Sequence, residues 1–198
     1  MKKTYEVISR NNAKLEQYSA LTTSSLLDAM LCARANDQGM DKYDQSKIVC
    51  RVDDAEVLTI KHSKGNGFIP EFGEDYLDSV PDCVLADLVS AHLDDFEIAG
   101  LDRGTYLMIA RTLVDRAVSK GFDFEAAVPG ITEAAINATV VWTNIGRAED
   151  GFRYRTREEC LDDLVKPVAL SALWVGIRLI NPPLVDAAVR AATKYLGF

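Results

Sequence analysis

The sequence predicts a mainly α fold, one compact, bundle-like helical domain over residues 1–198 with a small β-hairpin inserted near residues 47–62. Three observations lead there. Apolar residues recur at three- and four-residue spacing along most of the chain. Helix-starting and helix-stopping residues stand at the ends of those stretches. β-Rich runs are confined to one short region, and no linker, low-complexity tract or fixed-period repeat divides the chain.

Taken in order, Leu15, Tyr18, Thr22, Leu26, Ala29, Met30 and Ala33 share one face of a helix expected from about Asn12 to Ala35, closed by Asn36-Asp37-Gln38-Gly39. Lys47–Val52 and Glu56–Lys61 are β-rich runs around Asp53-Asp54-Ala55 and read as the hairpin. Lys64-Gly65-Asn66-Gly67 reads as a turn, with His62 exposed beside it. Ser79 and Pro81 open the helix that contains Asp87. Asp102 caps the next helix, which Lys120-Gly121 stops, and Asp123 caps a short one broken at Pro129-Gly130. Thr132 starts another, Thr156-Arg157-Glu158-Glu159 is a capping box, and Pro167 kinks or restarts its helix. Asn181-Pro182-Pro183 precedes a last helix that ends near Tyr195, with Gly197 beyond it.

A net charge of −8 argues against general nucleic-acid binding, because a polyanion would be repelled. Cys32, Cys50, Cys83 and Cys160 form no CxxC pair and, with two histidines in the chain, do not suggest zinc. The start shows no apolar run, so reduced thiols in a cytoplasmic protein are expected. Pro167–Ile180 is too short to span a bilayer and contains Arg178, so no membrane partner is expected. Its apolar character, and that of Leu184–Leu196, suits either the protein's own core or a homodimer or higher homo-oligomer.

At about 100° per residue, Leu85, Leu88, Val89, His92 and Phe96 form the apolar stripe of the Asp87 helix, and Asp87 and Asp94 share the opposite side. His92 reads as a hydrogen-bonded packing residue. Two carboxylates on one face could hold a divalent cation if another helix added oxygens; otherwise they are a solvated acidic face.

Val84-Leu85-Ala86-Asp87, Leu93-Asp94 and Gly100-Leu101-Asp102 resemble, in residue type and spacing, the later acidic helix of MazG-like nucleotide pyrophosphohydrolases. Ser24–Arg34 is similar to that family's earlier acidic helix, and Gly121-Phe122-Asp123-Phe124-Glu125-Ala126-Ala127 also resembles the segment that follows its acidic helix. The resemblance implies an all-α fold and hydrolysis of nucleoside triphosphates between the α and β phosphates, with magnesium on acidic pairs. It implies Asp28 and Asp87 as magnesium ligands, and Asp82, Asp94 or Asp95 are the candidates to substitute for the missing carboxylates. The acidic set is degenerate: Ser25 and Val84 stand where the family carries glutamates, and Leu31 where it carries a further acid. Valine offers magnesium no hard oxygen, so weak or absent turnover is implied.

Arg147, Arg153, Arg155 and Arg157, interleaved with Phe152 and Tyr154, form a candidate phosphate-binding segment. Their alternative is an exposed loop paired with neighbouring acids. Two functions therefore stand. One is binding of a nucleotide or other phosphate ligand, with magnesium-dependent pyrophosphohydrolase activity weak or absent. The other is a non-catalytic interaction protein, an adaptor or inhibitor, whose acidic surface meets a protein partner.

Overall fold

The computed structural model describes residues 2–11, 16–38, 45–63, 67–72, 77–128, 130, 133, 156 and 182–198. It divides into two compact units, Met1–Thr112 and Leu113–Phe198.

The first unit corrects the expected mainly α, bundle-like fold with one small hairpin, and with it the all-α fold that the resemblance implies. Its core is a five-stranded antiparallel sheet built from β1 (Lys3–Asn11), β2 (Glu16–Thr23), β3 (Gln45–Val52), β4 (Ala55–Ser63) and β5 (Gly67–Pro70), in the order β2-β1-β3-β4-β5. Alternation drives it. Tyr5, Val7 and Ser9 of β1 are buried, as are Ile48, Cys50 and Val52 of β3, Leu58 and Ile60 of β4, and Phe68 of β5. The helix α1 (Leu26–Gln38) lies against β1 to β4 and buries Leu26, Ala29, Met30 and Ala33, one stripe at helical spacing.

The helix expected from Asn12 is therefore a strand followed by a shorter helix. β2 is a sheet edge with polar, exposed residues, and an extra residue at Ala20 breaks its two-residue period. What remains, Leu15-Tyr18-Thr22-Leu26, happens to fit a helical period. Ser25 marks the true start: its hydroxyl accepts from the Asp28 amide at 3.2 Å, and its carbonyl takes the first helical bond, from Ala29.

The hairpin appears where the sequence puts it. Asp53 and Asp54 both have positive φ, 48° and 67°, the geometry of a type I′ turn. The turn is tied to the chain start by a bond from the Asp53 amide to the Lys2 carbonyl at 2.8 Å and one from the Lys2 amide to the Asp53 carboxylate at 2.6 Å.

The helix α2 (Asp82–Asp94) begins after Pro81, which sits at the N-cap in extended conformation. It buries Val84, Leu85, Ala86, Leu88, Val89 and Ala91, which leaves only a narrow polar strip. The short α3 (Phe96–Ala99) is capped by Asp95, whose carboxylate accepts from the Ile98 amide at 3.1 Å. Asp102 caps α4 (Arg103–Ser119) by accepting from the amides of Gly104 at 2.9 Å and Thr105 at 3.1 Å. The Asp102 cap is the one the sequence predicts; the break at Asp95 corrects the expectation that Phe96 continues the Asp87 helix.

In the second unit, Gly121 (φ 97°) ends α4 and Asp123 caps α5 (Phe124–Ala127). The last helix, α6 (Pro182–Tyr195), buries Val185, Ala188, Val189 and Ala192. Phe122 packs against Phe124 and Tyr195, each ring centre 5.2 Å away, and the Tyr195 hydroxyl donates to the Lys120 carbonyl at 2.9 Å. No helix among the described residues is long and apolar enough to cross a membrane.

Candidate functional site

A cavity of about 190 Å³ opens in the first unit between the start of α1, the middle of α2 and the first residue of β1. Lys3 supplies an ammonium, Ser24 and Ser25 supply hydroxyls and backbone at the helix start, and Asp87, Ser90 and Asp94 form the α2 wall. The spacing of those three, three and then four residues, puts them on one face, as the helical wheel predicts. Leu26 and Leu27 also line the cavity. They occupy the first turn of α1, where amides have no acceptor within the helix and the helix dipole is positive.

Asp87 is anchored from β1. Its Oδ2 accepts a short hydrogen bond from the Tyr5 hydroxyl and pairs with the Lys3 ammonium at 2.6 Å. Tyr5 is fully buried. Burial first, and then the Asp87 charge, push its phenol far above the usual range, so it serves as a permanent donor. Burial also raises the thiols of Cys50 and Cys83, the former with help from the Asp87 charge. Neither is an activated nucleophile.

The other predicted residues divide around this cavity. Asp94 lines it with Asp87, and its side chain is exposed. Asp28 sits in the first turn of α1, exposed and outside the lining. Among the described residues, no group of three or more His, Cys, Asp or Glu side chains is placed to hold a metal ion. Magnesium prefers several hard oxygens, whereas the best-placed carboxylate here already accepts from a phenol and an ammonium. The described residues do not fit a resident magnesium ion.

The residues that stand where the resemblance calls for glutamates have structural roles of their own. Val84 is fully buried, so a glutamate there would place a charge in the core. Ser25 is the cap of α1. Arg147, Arg153, Arg155 and Arg157 lie outside the described residues.

Both histidines are packed. His92 accepts from the Leu101 amide at 3.0 Å through Nδ1, stacks on Tyr106 at 4.4 Å and meets the edge of Phe96 at 5.0 Å. His62 corrects the sequence reading. It is 7% exposed, near the end of β4, and its ring lies 4.3 Å from that of Phe68. The basic residues around it suggest a loop, but its place in the alternation after Leu58 and Ile60 points it inward.

Sequence reasoning missed Lys3, Tyr5, Ser24 and Ser90. The signal for Tyr5 was present in the Tyr5-Val7-Ser9 alternation, which is weakened by a serine in place of a third apolar residue. No family model matches the chain, and no curated protein or solved structure matches it either.

Proposed function

We propose that this chain binds a small phosphate-bearing ligand at the α1–α2 cavity without a resident metal, with hydrolytic activity weak or absent. The observation that carries this reading is the meeting, in one cavity, of Lys3, two serines and the open first turn of α1. A helix start offers unpaired amides and a favourable dipole to an anion, and the Lys3 ammonium, whose charge Asp87 partly offsets, has further N–H donors for it. Of the MazG-like resemblance, the reading keeps only the ligand class. The size of the site sharpens it. Cavities that enclose drug-sized ligands run from roughly 300 to 1,000 Å³. About 190 Å³ suits a phosphate or diphosphate group better than a whole nucleotide.

Asp94 separates this reading from a magnesium site. If it faces a bound anion, Asp94→Asn removes repulsion and tightens pyrophosphate by about two- to fivefold, the range of an exposed charge interaction. If it holds a metal, the same change weakens binding. The experiment is calorimetric titration of pyrophosphate and of a dNTP panel, each with EDTA and with magnesium. Binding in EDTA that tightens in Asp94→Asn supports the proposal. Binding that needs magnesium, or no binding, overturns it.

A second reading, the interaction protein, draws on Phe96. This ring is 65% exposed on α3, between Asp94, Asp95 and Glu97, where it could anchor a basic partner. Phe96→Ala should leave pyrophosphate binding unchanged, so the two readings fail independently.

A further inference from the structure

We propose that the chain pairs with a second copy of itself along β2, antiparallel and centred on Tyr18. The described sheet has two edges, and they are built differently. β5 is four residues long and ends in Pro70, and the adjoining Glu71 pairs with Lys61. Short length, proline and charge are the usual devices that stop an edge from recruiting another strand. β2 is eight residues long, contains no proline or lysine, and has Glu16 as its only charged residue. Gln17, Tyr18, Ser19 and Ala20 are exposed, so this edge is open.

The bulge at Ala20 divides β2. It leaves Glu16–Ser19 in unbroken register with Asn11, Arg10, Ser9 and Ile8 of β1. The outward backbone groups of that run need an antiparallel strand of matching shape. A second copy supplies one, because a twofold axis perpendicular to the sheet pairs a strand with itself. Centring on Tyr18 sets Gln17 opposite Ser19 and lets the two Tyr18 rings, each 45% exposed, meet as an aromatic cross-strand pair.

Charge selects this surface as well. Copies of a chain with net charge −8 repel one another, and association is least opposed where charge is sparse. In the proposed register the two Glu16 residues lie four residues apart along the ladder, about 14 Å at strand rise. That exceeds the screening length of about 8 Å at physiological salt. One strand pair covers less than a standard interface, so the dimer should be reversible and concentration-dependent.

Sedimentation velocity from about 10 µM to about 1 mM tests the proposal across the range expected for a weak interface. Wild type should shift from monomer to dimer. Tyr18→Lys and Tyr18→Glu, each repelling its own copy, should remain monomeric with unchanged melting temperature, and an equimolar mixture should recover the dimer. Hydrogen exchange of the wild-type β2 amides should slow as concentration rises, a readout that needs no variant. A wild type that is monomeric throughout, a dimer indifferent to both substitutions, or a mixture that stays monomeric would overturn it.

Discussion

Polar groups cluster beneath α1 at both of its ends, in opposite ways. At the start of the helix, Tyr5, Asp87 and Lys3 form a charged cluster that opens into a cavity. At the far end, the Asn36 amide donates to the Ser9 hydroxyl at 3.0 Å, Ser9 and Ser46 share a hydrogen bond at 3.0 Å, and His62 stands beside Ser46 in the strand register. Ser9 and Ser46 are buried, and no carboxylate appears among these contacts.

The difference separates two jobs. An enclosed row free of carboxylates, with Asn36, Ser9 and Ser46 bonded to one another, discourages register slips, because a shift by one residue would turn Ser9, Ser46 and His62 outward. A charged cluster beside open space keeps donors and acceptors available to a ligand. The far end of α1 is framework, and its start is the candidate site.

The largest effect expected at the charged end is on stability. Tyr5→Ala removes a fully buried aromatic ring and should lower unfolding free energy by about 3–5 kcal/mol in denaturant titration. Tyr5→Phe keeps the ring and removes the donor to a charged acceptor, so about 1.5–3 kcal/mol is expected. A Tyr5→Phe variant as stable as wild type would show that the hydroxyl contributes nothing and that Asp87 is held by Lys3 alone.

At the neutral end, Ser9→Ala deprives Asn36 and Ser46 of a partner and should cost about 1–3 kcal/mol. Its effect on pyrophosphate affinity should be nil. A loss of binding in Ser9→Ala would erase the division between the two ends.

The smallest effect concerns acid. Hydrogen bonds from Thr105 hold the Asp102 carboxyl below its ordinary range, and the bond from Arg51 does the same for Glu6. A carboxyl whose folded pKa is depressed contributes stability that is complete above its unfolded pKa and lost as pH falls through the folded one. Stability should therefore decline below about pH 4. Asp102→Asn should flatten part of that decline in melts at graded pH. A decline identical to wild type would remove Asp102 from the account.

Against this background, what the residues disclose in advance follows burial and local chemistry. The hairpin was legible because Lys47–Val52 and Glu56–Lys61 are β-rich on both sides of an Asp-Asp turn. α2, α4 and α6 were legible through Pro81, Asp102 and the Gly121 and Gly197 stops, signals that act within a few residues. β2 was not, since an exposed, bulged edge strand carries no buried alternation for a pattern to follow. Asp87 and Asp94 were placed on one face by helical geometry. Their neighbours Lys3 and Tyr5 were not, because that contact spans more than eighty residues and depends on a sheet the periodicity did not reveal.

The central claim is that the charged end of α1 takes a phosphate group without metal. Amide chemical-shift mapping of pyrophosphate titrated in EDTA tests it most directly, against wild type and Lys3→Met. Saturable shifts are expected at Ser25, Leu26 and Leu27, weakened in Lys3→Met, with Ser46 and His62 unmoved. Shifts confined to the His62 end, or none at the start of α1, would contradict it.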